Sequence, residues 1–292
     1  GHESLGRVVR GGADLPDGTL VVGIVRRPDG CPNCARGQQD MCLWGDFTER
    51  GIGGLHGFGS EWWVERPEYV VAIPERLADG GVLLEPLTVV EKVVRHAFRI
   101  QGRAHWEPKR ALVAGAGPIG ILGAVLLRLG GLAVTVFERT EKPERRELLG
   151  RIGAGYAATQ ATPLDEIVAG AGPVDMAIEA TGNAGVAFTL MQHLGTNGVL
   201  GLTSVSGGDA TAEVPVARVN RGLVLGNKVV FGSVNANRAD FEQGVRDLGE
   251  AERRWPGFLA TLITARVPLA DAAPVVTHDP RQIKVVVELG GA

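Results

Sequence analysis

Two groups of residues in this sequence have types and spacing that could do chemistry. The first is Cys31-Pro32-Asn33-Cys34 followed by Cys42, a C-x2-C-x7-C pattern that holds every cysteine of the 292 residues. Thiolates at that spacing can converge on one tetrahedral Zn2+. An odd, clustered set reads as a metal site and not as a disulfide framework. Three sulfurs are one short of a closed site, and Asp29 and Asp40 are the nearest oxygen donors. Such a metal would be structural, tying down a loop with little core of its own.

The second group is Gly115-Ala116-Gly117-Pro118-Ile119-Gly120, a G-x-G-x-x-G turn between a short apolar strand and a helical stretch. Gly115 makes the tight turn, Gly117 lets backbone approach a pyrophosphate, and Gly120 lets helix and strand pack closely. Pro118 and Ile119 open the helix, whose N-terminal N–H groups and dipole favour phosphate. Glu138 ends the next strand, roughly 20 positions on. An acid there accepts the adenosine ribose hydroxyls and repels a 2′-phosphate, which predicts NAD. Arg139 directly after it, with Arg145 and Arg146 nearby, keeps NADP as the alternative. Thr181 joins the predicted cofactor-binding set.

These groups need elements to hold them. Residues 1–75 contain short β-like runs, Gly6–Arg10, Leu20–Val25 and Glu61–Val64, punctuated by Gly, Pro and Asp, and predict an all-β unit. Over Glu85–Phe98 the apolar spacing changes to i, i+3/i+4, which predicts a helix with Pro86 in its first turn. From about residue 110 strand and helix alternate. Strands are predicted at Arg110–Ala114, Ala133–Phe137, Met176–Ile178, Gly198–Leu202 and Lys228–Gly232, with a helix at Ile121–Leu129. This is the pattern of an α/β doubly wound parallel sheet, a Rossmann cofactor domain. A helix at Ala239–Leu248 and a strand at Lys284–Leu289 close the chain.

Bulk numbers bound the function. A net charge of −3 and a pI near 6.1 leave no electrostatic footprint for nucleic acid or an anionic membrane. No apolar run reaches membrane-spanning length and no signal peptide is visible, which predicts a cytoplasmic protein.

The order G-H-E, cysteine lobe, E-P-L, GAGPIG resembles the zinc-containing medium-chain alcohol/sugar dehydrogenases. Within that family the text is most similar to the archaeal-type glucose dehydrogenases. The matching stretches are V-R-R-P, D-F-T-E-R-G-I, H-G-F-G-S-E-W-W-V, P-E-Y-V-V-A-I-P, E-P-L-T-V-V-E-K and G-S-V-N-A. The resemblance implies a β-rich, GroES-like catalytic domain over 1–90, the Rossmann domain over 91–235, and a segment over 236–292 that returns to the catalytic domain. Family members carry a further β-rich segment, with another zinc ligand, ahead of G-H-E. This chain begins at Gly1-His2-Glu3, so the catalytic domain is expected to be N-terminally truncated.

The resemblance also implies roles. His2 matches the histidine that binds catalytic zinc, with Glu3 beside it, and Glu85 matches a further ligand or near neighbour of that zinc. Glu49 matches a glutamate that contacts sugar hydroxyls, and Asn235 an asparagine near sugar and nicotinamide. The family lobe has spacing C-x2-C-x2-C-x7-C. Cys31, Cys34 and Cys42 match its last three positions and Pro28 falls on the first, so Asp29 is the expected substitute. The implied activity is oxidation of an aldose at C1 to its lactone, with zinc polarising the hydroxyl and hydride passing to NAD(P), in a homodimer or homotetramer. Two alternatives stand beside it: a polyol, alcohol or L-threonine dehydrogenase of the same family, and a catalytically dead cofactor-binding protein.

Overall fold

The computed structural model describes residues 1–209, 211–272, 279 and 281–290, so parts of the C-terminal segment expected over 236–292 lie outside the described residues. The chain divides into two compact units, Gly1–Thr88 with Asn235–Ala292, and Val89–Val234.

The first unit opens with β1 (Gly6–Arg7) and β2 (Leu20–Gly23), followed by β3 (Arg26–Arg27), β4 (Thr48–Arg50), β5 (Gly54–Leu55) and β6 (Val70–Ala72). β1, β2 and β6 form an antiparallel sheet with β2 in the centre. The apolar, buried Leu20-Val21-Val22 run, with two β-branched valines, explains that central place. β3, β4 and β5 form a second small sheet that carries Arg26 and Glu49 at paired positions. The strand expected at Glu61–Val64 does not form. Its Trp62 and Val64 are exposed, and Trp63 packs edge-on to Phe58. The Val64 carbonyl accepts from the Arg50 guanidinium at 2.6 Å, so a side chain takes the place of a ladder partner.

Helix α1 (Leu84–Gln101) contains the division between the two units. The second unit then alternates: β7 (Arg110–Ala114), α2 (Pro118–Leu129), β8 (Ala133–Glu138), α3 (Pro143–Arg151), β9 (Gly155–Ala158), α4 (Leu164–Ala171), β10 (Val174–Glu179), α5 (Ala184–His193), β11 (Leu194–Leu202), α6 (Val216–Leu225) and β12 (Val229–Gly232). The six strands are all parallel, in the order β12-β11-β10-β7-β8-β9. Helices cover the strands, which therefore read as continuous apolar runs with little alternation. Leu112, Ala114, Phe137, Val174, Ala177 and Leu200 belong to the resulting core, where each buried large aliphatic side chain contributes about 1.5–3 kcal/mol. Strand order reverses between β7 and β10. That is the switch point at which ligands bind outside the carboxyl ends of the strands.

The chain returns to the first unit with α7 (Arg238–Arg254), α8 (Phe258–Leu262), β13 (Ile263–Pro268) and β14 (Lys284–Glu288). A capping box starts α7: the Asn237 side chain accepts from the Asp240 N–H, and the Asp240 carboxylate accepts from the Asn237 N–H. β13 and β14 pair in parallel.

Candidate functional site

His2 and Glu3 lie ahead of β1, and Glu85 lies in the first turn of α1. One ligand atom from each comes within 4.8 Å of the others. The His2 Nε2 stands 3.9 Å from a Glu85 carboxylate oxygen. Burial lifts the Glu85 carboxyl to about 8; the Glu3 and Glu49 charges push it the same way, and Lys284 opposes them. Burial also holds the His2 imidazole below its ordinary value, leaving it neutral with a lone pair to offer. A buried acid that lacks a compensating charge, a neutral imidazole and a second carboxylate form a nitrogen and oxygen donor set that suits a divalent cation such as zinc. The residues present therefore fit the group. Lys284 on β14, which the sequence did not single out, forms an ion pair with Glu3.

Glu49 on β4 is held from two sides through one oxygen. Its Oε1 accepts from Arg26 Nε at 2.9 Å and from Asn235 Nδ2 at 2.7 Å. Arg26 is buried and stacks on the Phe47 ring, 3.7 Å from its centroid. Asn235 adopts the left-handed conformation, with φ 59°, and its Oδ1 accepts the Ala236 N–H at 2.7 Å. Asparagine is among the few non-glycine residues that adopt this conformation readily. Glu49 Oε2 makes no hydrogen bond among the described residues. Arg26 was missed in the sequence because its partner lies 23 positions away across two strands.

Asp29, Cys31, Cys34 and Cys42 also converge, with ligand atoms within 4.8 Å of one another. The Cys31 and Cys42 sulfurs are 3.9 Å apart, and Cys42 Sγ lies 2.8 Å from Asp29 Oδ2. Backbone N–H groups point at the sulfurs: Cys34 and Leu43 at Cys31, each 3.4 Å, and Gly45 at Cys42, 3.3 Å. Burial pushes the Cys34 thiol up to about 12, so four anionic donors coexist here only around a cation. The set fits one tetrahedral metal ion. Asp40, the other oxygen donor near the cysteines in sequence, instead accepts from the Asn237 amide at 3.1 Å.

In the second unit the glycine turn joins β7 to α2. Gly115 has φ +100°, and a Cβ there would stand 2.6 Å from the Ala180 carbonyl oxygen. A Cβ on Gly120 would meet the Gly115 carbonyl oxygen at 1.9 Å, whereas one on Gly117 would meet nothing within 4 Å. The first and third glycines are thus demanded by the protein's own packing, and the second leaves open space beside the backbone. No side chain caps α2, which begins with Pro118 and Ile119, so its N-terminal N–H groups are left for an anion. Thr181, just beyond β10, is fixed by the buried Glu179, which accepts from its backbone N–H at 2.6 Å and from its hydroxyl at 2.5 Å. Glu138 ends β8 with its side chain mostly buried; Arg139 is exposed and Arg145 is buried.

A six-stranded doubly wound sheet with this glycine turn, in one chain with a β-rich unit that brings together two groups able to hold a metal ion, is the organisation of the medium-chain dehydrogenases. A family model described as glucose dehydrogenase C-terminus matches residues 78–289. A glucose 1-dehydrogenase from Methanocella arvoryzae is 43% identical over 296 residues, covering 99% of this chain and 82% of the relative. One from Metallosphaera sedula is 37% identical, covering 99% and 81%. The chain belongs to the glucose dehydrogenase family. Among solved structures, Haloferax mediterranei glucose dehydrogenase in complex with NADP, Zn and gluconolactone superposes with a TM-score of 0.91 at 32% identity, covering all of this chain and 83% of that one. An alcohol dehydrogenase from Thermotoga maritima, with a TM-score of 0.77 at 21% identity, shares the fold.

Proposed function

We propose that this chain oxidises an aldose, D-glucose or a close relative, at C1 to the lactone, with hydride transfer to NAD+ or NADP+ and with zinc as the catalytic metal. The observation that carries this reading lies within the first unit. The Glu49 carboxylate, aimed by Arg26 and Asn235, is close enough to the His2, Glu3 and Glu85 donors for its charge to act on both His2 and Glu85. A cation site beside a fixed carboxylate and amide suits a polyhydroxyl substrate. The family relatives named glucose 1-dehydrogenase and the relative solved with NADP, Zn and gluconolactone support the same reading.

When bound, zinc supplies Lewis acidity toward the sugar hydroxyl, and the nicotinamide accepts the hydride. His2 and Glu85 would hold the cation. Glu3, fixed by Lys284, would lie beside it or complete its donors. Glu49 would offer Oε2 to a sugar hydroxyl, and Asn235 would hold that carboxylate in place while facing substrate and nicotinamide. Gly115, Gly117, Pro118, Ile119 and Gly120 would hold the pyrophosphate against the start of α2. Glu138 would accept from the adenosine ribose, and Arg139 and Thr181 would complete the dinucleotide contacts. Cys31, Cys34, Cys42 and Asp29 would hold a second, structural zinc. The protein would work in the cytoplasm as a homodimer or homotetramer; among the described residues no helix is long and apolar enough to cross a membrane.

The test is a substrate panel. Reduction of NAD+ and NADP+ is followed with D-glucose, other aldoses, sorbitol, ethanol and L-threonine, with and without chelator. Aldose-preferring turnover that the chelator abolishes is expected. Preference for an alcohol or for threonine, or cofactor binding with no turnover on any of them, would overturn the reading.

A further inference from the structure

The Glu138 carboxylate is clamped. Its Oε1 accepts the Tyr156 hydroxyl at 2.7 Å, and its Oε2 accepts the Lys142 ammonium at 2.5 Å. The Tyr156 hydroxyl also accepts the Lys142 backbone N–H at 2.9 Å, and it stands 3.3 Å from the Thr140 carbonyl oxygen, a longer approach than the one to Glu138. The next cation is spent elsewhere: Arg146 lies along the Tyr156 ring and pairs with Glu141 through two hydrogen bonds, 2.9 and 3.0 Å. Arg139 is exposed, and its guanidinium forms no ion pair among the described residues.

An unpaired acid at the end of the second strand does two jobs: it accepts the ribose hydroxyls, and its charge repels a 2′-phosphate. The clamp separates them. A carboxylate has about four lone-pair sites, so two remain for a ribose diol. Its charge, however, is balanced by an ammonium at contact distance, and the unpaired Arg139 guanidinium stands next to it in the chain. We propose that Lys142, acting through Glu138, admits the 2′-phosphate of NADP+ to the adenosine subsite while leaving ribose recognition intact. Lys142 is a positioning residue here; the ribose contact remains that of Glu138. The inference rests on Glu138 being the ribose acceptor, as proposed above.

The experiment measures dissociation constants of 5′-AMP and 2′,5′-ADP for the full chain by calorimetry, with no sugar present. Wild type is expected to bind 2′,5′-ADP at least as tightly as 5′-AMP. Lys142→Met is expected to weaken 2′,5′-ADP about tenfold relative to 5′-AMP, because it uncovers the carboxylate charge within a few ångströms of the added phosphate. Lys142→Arg should keep the wild-type ratio. The double variant Glu138→Gln/Lys142→Met should restore it, since no charge is left to uncover. An unchanged ratio in Lys142→Met overturns the clamp. A loss that persists in the double variant also overturns it, because Lys142 would then touch the phosphate directly. If wild type binds neither nucleotide, the assignment of the dinucleotide site fails first, and the clamp with it. Lys142→Gln serves as a second neutral variant should Lys142→Met fold poorly; Lys142 contributes only backbone to the start of α3, so that contribution survives either change.

Discussion

At the scale of single residues, the site is a set of charges balanced by neighbours far away in sequence. Glu85 was legible through the E-P-L stretch, but its protonation was not. That comes from burial in α1 together with Glu3 and Glu49, none of which is local to it. Its folded-state value of about 8 lies above that of the unfolded chain, so the folded state binds the extra proton. In the metal-free protein its contribution to stability is therefore complete below about pH 4.5 and lost as pH rises through about 8. Metal-free protein should melt at least ~5 °C lower at pH 8.5 than at pH 5. The Glu85→Gln variant should lose most of that difference, and differential scanning calorimetry across pH reads it. A pH slope in Glu85→Gln as steep as in wild type would contradict the assignment. Glu49 makes a complementary case. Its place in T-E-R-G-I was legible, whereas its restraint by Arg26 and Asn235 required strand pairing and a return of the chain after the cofactor unit. Glu49→Gln should raise KM for sugar about tenfold, the size of one charge-assisted hydrogen bond, with KM for the dinucleotide nearly unchanged. Equal losses for both would remove Glu49 from sugar binding.

At the scale of elements, the sequence was most readable where period and punctuation agreed. The strand, glycine turn and helix from Arg110 to Leu129 were placed within a few residues, because an apolar run, three spaced glycines and a helical period all point the same way. β9, β13 and the short strands β3, β4, β5 and β6 were missed. Apart from β13 they are brief, and their pairing partners, more than their own pattern, make them strands. Glu61–Val64 failed in the opposite direction: aromatic and β-branched content suggested a strand, and guanidinium contacts with the backbone took the ladder's place. The glycine turn gives a test internal to one element. Gly120→Ala forces a methyl against the Gly115 carbonyl oxygen and should lower the melting temperature by ~5 °C or more. Gly117→Ala has room for its methyl and should melt within ~2 °C of wild type. It should nevertheless raise KM for the dinucleotide about tenfold, because it fills the approach to the pyrophosphate. Thermal melts with initial-rate kinetics separate the two. Equal melting temperatures would show that the third glycine is not a packing requirement.

For the molecule as a whole, each unit carries its own candidate groups: the two clusters that could hold a metal ion and the Glu49 carboxylate in the first, the glycine turn and Glu138 in the second. The two donor groups should hold two zinc ions per chain with distinct consequences. Elemental analysis of Asp29→Ala should show loss of one zinc with a lower melting temperature, since that metal closes a loop with few core residues. His2→Ala should lose the other zinc and the turnover, with little change in melting temperature. Both variants retaining two zincs would refute the ligand sets.

The most direct measurement follows the hydrogen itself. Zinc-loaded protein is supplied with D-glucose deuterated at C1 and with NADP+, and the products are read by proton NMR. Deuterium should arrive at C4 of the reduced nicotinamide in equal amount with lactone, cease on chelation, and return on adding zinc. Deuterium that stays with the sugar, or transfer indifferent to removal of the metal, would contradict a zinc-dependent oxidation at C1.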